Sequence, residues 1–302
     1  MAPSGSLQRA WKGSLVLWIA LACGLFFAAP PPPPEPPPTT EELAASARAT
    51  AFVVRDIEQW YAEHGDLRIP WDEAQGHLAI VIDDVGRELH VFDQLLSLRF
   101  PLTFSVLPGS TYAAGVQLRL RADTRRPREI MLHLPMEPLD ASMMEQGHDA
   151  REVFLRVEDS PETLVAKLED ALRRVPAATG INNHMGSRLT AQRAAMEVIM
   201  ASIAERGLLF LDSRTTADTV AESAAREAGV RVAARHVFLD DDPSPAAMEA
   251  ALAEAARSSR ERPTIAIGHP SVELLEVLRR GLPELHETGV TIVPLSELVT
   301  RS

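Results

Sequence analysis

From Leu78 onward the chain is punctuated by short, continuous apolar runs, and this punctuation limits the folds open to it more than any other feature. The runs are 78–82, 102–107, 130–132, 180–181, 208–211, 236–239, 264–267 and 290–293, and helix-length amphipathic stretches separate most of them. Strands that are apolar throughout are buried on both faces, which means a parallel sheet covered by helices. Seven or eight strand–helix units in about 225 residues predict an α/β fold, a (β/α) barrel that is distorted or incomplete, rather than an open sheet. Ser160-Pro161-Glu162, Thr190 and Ser244-Pro245 predict helix starts, and Gly207 and Gly229 sit where glycines end helices.

The residues that follow the runs carry the chemistry. Ile82 leads to Asp83-Asp84, Leu132 to His133, Ile181 to Asn182-Asn183-His184, Leu211 to Asp212-Ser213-Arg214, Leu239 to Asp240-Asp241-Asp242, and Ile267 to Gly268-His269. In barrel enzymes catalytic groups come from the carboxyl ends of several strands and meet at one face, so the recurrence matters more than any single residue. Two carboxylates leaving a buried strand repel each other unless a cation or a proton is shared, although one of them could instead cap a helix. One carboxylate and two neutral imidazoles, with positions left open, are the ligand set of a catalytic divalent ion. Asp84, His133 and His184 fit that inventory, with His133 otherwise readable as a hydrogen-bonded core residue. Asp212 and Arg214 either orient a ligand or the substrate or form a helix cap with a surface arginine. His269 is a candidate general acid. The acidic run 240–242 reads as a solvated turn in which Asp240 could face the site, and the remaining histidines read as structural.

Composition narrows the partners. The 302-residue chain has 42 acidic against 30 basic side chains, a formal net charge of −12. Nucleic-acid binding needs clustered Lys and Arg, so no nucleic-acid partner is expected. The single cysteine, Cys23, excludes an intrachain disulfide and a thiolate zinc cluster, so metal ligands must be His, Asp or Glu. Residues 1–29 pair Arg9 and Lys12 with an apolar run and read as a signal peptide or signal anchor. Residues 30–40 form a proline-rich linker, stiff in the polyproline II conformation, that would hold the domain off the inner membrane. A helical appendage over 41–76, begun by Thr40, precedes the main domain at 77–302. The protein is therefore expected to be exported, either anchored at the periplasmic face of the cytoplasmic membrane or secreted to the periplasm.

Five segments together resemble the divergent polysaccharide deacetylase family, a bacterial envelope group related to carbohydrate esterases. They are Ala79-Ile80-Val81-Ile82-Asp83-Asp84-Val85-Gly86, His133-Leu134-Pro135-Met136-Glu137, Gly180-Ile181-Asn182-Asn183-His184-Met185-Gly186-Ser187, Phe210-Leu211-Asp212-Ser213-Arg214 and Ala266-Ile267-Gly268-His269-Pro270. The resemblance implies a distorted (β/α) barrel, a divalent metal such as zinc, and a carbohydrate polymer as substrate. It makes Asp83 the general base, Asp84 a metal ligand and His269 the acid. Ordinary polysaccharide deacetylases take two histidine ligands from one His-x-x-x-His motif, which this sequence lacks, so His133 and His184 take that role here; Asp212, Arg214 and Asn183 become substrate-orienting residues. The expected activity is metal-dependent hydrolysis of N-acetyl groups on an envelope polysaccharide. The alternatives are a non-catalytic glycan- or partner-binding protein on the same fold, or hydrolysis of another amide or ester.

Overall fold

A computed structural model describes residues 65–122, 124, 126, 128–144 and 151–301. The signal or anchor segment, the proline-rich linker and residues 41–64 of the predicted helical appendage lie outside the described residues; of the appendage's remainder, only the short 3-10 turn Trp71–Glu73 is helical, and Gly76 already begins the first strand. Among the described residues no helix is long and apolar enough to cross a membrane.

Nine strands are present among the described residues: β1 (Gly76–Val85), β2 (Thr103–Val106), β3 (Glu129–Met136), β4 (Gly180–Met185), β5 (Leu209–Asp212), β6 (Val232–Ala234), β7 (Val237–Phe238), β8 (Thr264–Gly268) and β9 (Val290–Ile292). Eight match the predicted runs. β6 escaped the reading because Val232-Ala233-Ala234 offers too little apolar side chain to stand out. The helices are α1 (His90–Ser97), α2 (Ala113–Ala122), α3 (Pro161–Arg174), α4 (Arg193–Glu205), α5 (Ala221–Glu227), α6 (Pro245–Glu261), α7 (Val272–Glu287) and α8 (Leu295–Arg301).

Every strand pairing is parallel, and the order runs β6-β5-β4-β3-β2-β1-β8-β7, with β9 pairing only with the first residues of β1. The sheet curls into a barrel whose two ends, β6 and β7, do not pair with each other. This is the incomplete (β/α) barrel that the spacing of the apolar runs predicts.

Alternation along the strands sorts the apolar residues into two cores. Ile80, Ile82, Phe104, Leu132, Ile181 and Phe210 point outward and pack beneath the helices with Leu168, Ile199 and Leu278. Ala79, Val81, Met131, Leu209, Leu211, Ile265 and Ile267 fill the interior, and Leu295 and Leu298 of α8 join them. The start of α8 is held by Glu129, which accepts from Ser296 N at 3.2 Å and from the Thr103 hydroxyl at 2.9 Å.

The helix ends follow local rules with one departure. Ser160 accepts from Thr163 N beside a proline in the first turn of α3, and Gly207 and Gly229 take φ of 65° and 73°, the left-handed region that a side chain would disfavour. Thr190 does not cap α4. It lies in a short 3-10 turn, its hydroxyl bonded to Gly186 O, and α4 begins after Gln192.

Phe104 is fully buried and meets Phe92 edge-on at 5.7 Å between ring centroids. Its replacement in Phe104→Ala is expected to lower unfolding stability by about 3–5 kcal/mol, read from urea denaturation; a loss under about 1 kcal/mol would show that this layer relaxes to fill the gap.

Candidate metal centre

The same alternation that builds the interior core delivers the site. Ala79 and Val81 face inward, so Asp83 follows them; Met131 leads to His133, Leu209 and Leu211 to Ser213, and Ile265 and Ile267 to His269. Gly180 begins the inward series of β4, where an added Cβ would collide with the side chains of Leu209 and Met131, and Asn182 and His184 continue it.

Asp84 breaks the alternation. By parity it belongs with the outward-facing Ile80 and Ile82, but the β1–β2 register shifts between Ile82 and Val85 and Asp84 takes a φ of 56°. This bulge turns a second carboxylate toward the barrel mouth. The three described non-glycine residues with positive φ are Asp84, Met185 and Arg214, which sit at or just beyond the ends of β1, β4 and β5. Backbone strain of this kind gathers where the surroundings over-determine a functional geometry.

Three donor atoms converge. Asp84 Oδ1 lies 2.9 Å from His184 Nδ1 and 3.2 Å from His133 Nε2, and the two ring nitrogens are 3.2 Å apart. Donors around a tetrahedral zinc with bonds near 2.0–2.1 Å stand about 3.3 Å from one another. The cluster has that spacing, is largely buried, and brings one hard anionic and two imidazole donors together, so the residues fit a zinc-like ion.

Neighbours fix the donors in ligating form. Asn182 Nδ2 donates to both Asp83 oxygens, at 2.9 and 3.0 Å, and to Ser213 Oγ at 3.2 Å. A carboxylate only accepts, so the Asn182 amide oxygen must face the other way, where it lies 3.0 Å from His133 Nδ1. That places a proton on Nδ1 and leaves the Nε2 lone pair aimed at the cluster. On the far side of Asp84, Arg87 donates to Oδ2 at 3.0 Å and also reaches the buried Glu152 at 3.3 Å. Oδ1 is thereby left to the imidazoles.

Burial opposes ionisation of Asp84, but the facing His184 and His133 hold its carboxyl well below the usual carboxylate range. The imidazoles diverge. Burial, reinforced by His133 and Arg87, pushes His184 down despite Asp84, whereas Asp83 and Asp84 outweigh burial at His133 and raise it. One proton on His133 thus competes with a cation for the same space.

His269 stands across the cavity. Its backbone N–H donates to Asp240 Oδ2 at 2.6 Å, and its Nδ1 lies 3.2 Å from both Asp240 oxygens. Burial works against protonation, yet Asp240 together with the field of Asp83 and Asp84 holds the imidazole up at about 9. Phe238 stacks against the ring at 6.2 Å. A cavity of about 440 Å³ is lined by Asp83, Asp84, His133, His184 and His269, with Asn183, Ser187, Ser213 and Thr215 as further polar groups.

Of the residues singled out from sequence, Asp83, Asp84, His133, His184 and His269 come together. Asn183 lines the same cavity, with Oδ1 accepting from Ser213 N at 2.9 Å. Asp212 and Arg214 do not line it. Asp212 is buried, with its carboxyl pushed up by that burial, and it accepts from Arg214 N and the Thr219 hydroxyl within its own loop. Arg214 lines another cavity. Parity is the reason that neither faces the cluster: 212 falls outward while Ser213 falls inward. Two residues of the site were not among those expected to act. Asn182, not Asn183, braces the histidine, and it could have been found by counting two residues back from His184. Asp240 orients His269, and its position directly after a strand end was the signal.

His64 and His148 lie outside the described residues. His77 stacks on Trp71, His90 contacts Gln94, His236 accepts from Ile265 N, and His286 packs edge-on to Phe100, all structural settings.

The family model described as divergent polysaccharide deacetylase matches residues 80–299. The uncharacterized protein YibQ of Escherichia coli K12 is 36% identical over 225 residues, covering 74% of this chain and 67% of that protein. An uncharacterized Haemophilus influenzae protein is 36% identical over 215 residues, covering 71% and 74%. The crystal structure of an uncharacterized Agrobacterium tumefaciens C58 protein aligns with a TM-score of 0.66 at 24% identity, over 80% of this chain and 94% of that one, and shows the same fold.

Elemental analysis and equilibrium dialysis are expected to find one divalent ion per chain, lost in Asp84→Ala. Asn182→Ala should keep the fold and weaken zinc binding about 10–100-fold. Zinc uptake should release protons and weaken as pH falls, because Asp83 and Asp84 favour a proton on His133 that competes with the ion for the same nitrogen. Stoichiometric zinc in Asp84→Ala would remove this ligand assignment.

Proposed function

Because the chain belongs to the divergent polysaccharide deacetylase family, we propose that it hydrolyses N-acetyl groups on an envelope polysaccharide with the help of a divalent ion. The observation that carries this reading is the convergence of Asp84, His133 and His184 beside an unliganded carboxylate, Asp83, and a protonated imidazole, His269. A zinc-like ion held by the three donors supplies a Lewis acid for the amide carbonyl.

The chain's own residues do the proton work. Asp83, whose two oxygens both accept from the Asn182 amide nitrogen, keeps its carboxylate turned to the cavity and takes a proton from the attacking water. His269 carries a proton at neutral pH and gives it to the departing amine, which would otherwise leave as a poor anion. Asp240 keeps the ring in place and charged. Ser187, Ser213 and Thr215 offer hydroxyls at the cavity for sugar oxygens. The acid and the base come from different strand ends, β8 and β1, and face the same cavity.

We also propose that the N-terminal segment exports the chain, so that the domain works at the periplasmic face of the cytoplasmic membrane, where a carbohydrate polymer is within reach. The basic residues ahead of the apolar run and the proline-rich tract after it support this placement.

The test is acetate release from a panel of N-acetylated glycans, including peptidoglycan and chitin oligosaccharides. Zinc-loaded protein should release acetate, and Asp83→Asn should lower the rate by about 10²–10⁴-fold without loss of metal. Metal binding with no acetate from any glycan, in wild type as in Asp83→Asn, would leave glycan binding as the role of the cleft.

Activity should fall on the alkaline side near pH 9 as His269 loses its proton. Asp240→Asn removes the hydrogen-bonding carboxylate that raises the ring, so the alkaline limb is expected to move toward lower pH. An unmoved limb would take the acid role from His269.

A further inference from the structure

The barrel wall has a seam. β6 and β7 are consecutive in the chain and form the two ends of the strand order, with no pairing between them. Along this seam lies a cavity of about 630 Å³, larger than the one at the metal cluster and lined by different residues. The loop after β5 is their common wall: Ser213 and Thr215 line the metal cavity, whereas Arg214 lines the seam.

Four arginines, Arg214, Arg226, Arg235 and Arg262, line the seam against one carboxylate, Glu222. Glu222 is already taken by Arg226 at 2.7 Å. Arg235 is fixed by the carbonyls of Ser213 and Arg214, at 2.7 and 3.0 Å, and lies over the Phe238 ring at 3.7 Å. Arg214 and Arg262 have no side-chain ion pair or hydrogen bond among the described residues. Arginine does not relieve crowding by losing its proton, so like charges brought together on a concave wall call for a counter-anion. Burial together with Arg262 and Arg214 pushes His236 down against Glu222, and burial together with Arg214 lowers Arg235 against Asp212, Asp241 and Asp83, so the arginines crowd one another even with those carboxylates nearby. In a chain with a net charge of −12 this concentration of cations stands apart.

We propose that the seam is a binding site for a phosphoryl oxyanion, separate from the metal cluster. Arg214, Arg235 and Arg262 come from three segments: the loop after β5, the link between β6 and β7, and the turn before β8. Guanidinium forks approaching from several sides suit a multiply charged group with three or more oxygens better than a single planar carboxylate. The inference does not rest on the deacetylase reading. It stands if the metal site proves inactive.

Isothermal titration of inorganic pyrophosphate into the metal-loaded full chain tests it. The expected result is one saturable site that weakens as salt is raised from about 50 to 200 mM. Arg214→Gln and Arg262→Gln should each weaken it at least about tenfold, Arg262→Lys less, and Asp84→Asn should leave it unchanged. Both arginines are exposed, so these variants should melt with the wild type. Absence of saturable binding would overturn the proposal, as would wild-type affinity in both glutamine variants. Loss of binding in Asp84→Asn would also overturn it, by moving the anion to the metal cluster. Competition then assigns the source: displacement by polyglycerol phosphate points to a phosphate-bearing polymer, and displacement by inorganic phosphate alone points to a small ligand.

Discussion

The register between β3 and β4 decides whether this molecule has a site. Pairing sets His133 beside Asn182 and Pro135 beside His184, so the amide that braces one imidazole is the direct cross-strand neighbour of that imidazole, and the second imidazole lies two residues further along the same face. A slip of one residue would send Asn182 and His184 into the apolar layer beneath the helices and bring Ile181 and Asn183 inward. Ile181 is fully buried in the outer core, and an amide and an imidazole in its place would lack partners. Folding energetics and ligand geometry therefore favour the same register.

Asp84 joins the cluster from across β2, and β2 makes room. The outward residues of β2, Phe104 and Val106, belong to the core under the helices, which leaves the small Thr103 and Ser105 on the inner face. With little side chain between them, groups from β1 and β3 meet over the top of β2. The left-handed backbone at Asp84 and the bulge around it supply the remaining reach. Aspartate tolerates that conformation better than most residues, which helps explain why the second carboxylate of the pair is the one displaced. Asp83 keeps regular strand geometry and stays as the unligated partner.

Much of this was legible in sequence. Eight of the nine described strands announced themselves as apolar runs, and the polar residues at the ends of four of them, β1, β3, β4 and β8, are those that meet. What single-residue inspection missed was alternation. Ala79, Val81 and Asp83 form one series, as do Leu209, Leu211 and Ser213, and the second series already shows that Asp212 points away from the interior. The same count selects Asn182 over Asn183. Asp84 could not be placed this way, because a bulge resets the count and its cause lies in how β1 meets β2. β6 was invisible for a simpler reason: two of its three residues are alanine, and its burial depends on neighbours rather than on its own side chains.

The open seam bears on the metal cluster as well as on the proposed anion site. β7 holds Phe238 against His269, and Arg235, between the two unpaired ends, lies over the same ring at 3.7 Å while bonding the carbonyls of Ser213 and Arg214. A closed barrel would fix β7 through backbone hydrogen bonds on both edges. Here β7 has that support from β8 alone, and the contact from Arg235 to Phe238 and to the β5 loop takes the place of the missing pairing. The residue that bridges the gap in the wall thus also packs on the ring beside His269, so charge gathered in the seam and the position of His269 are linked through a single guanidinium.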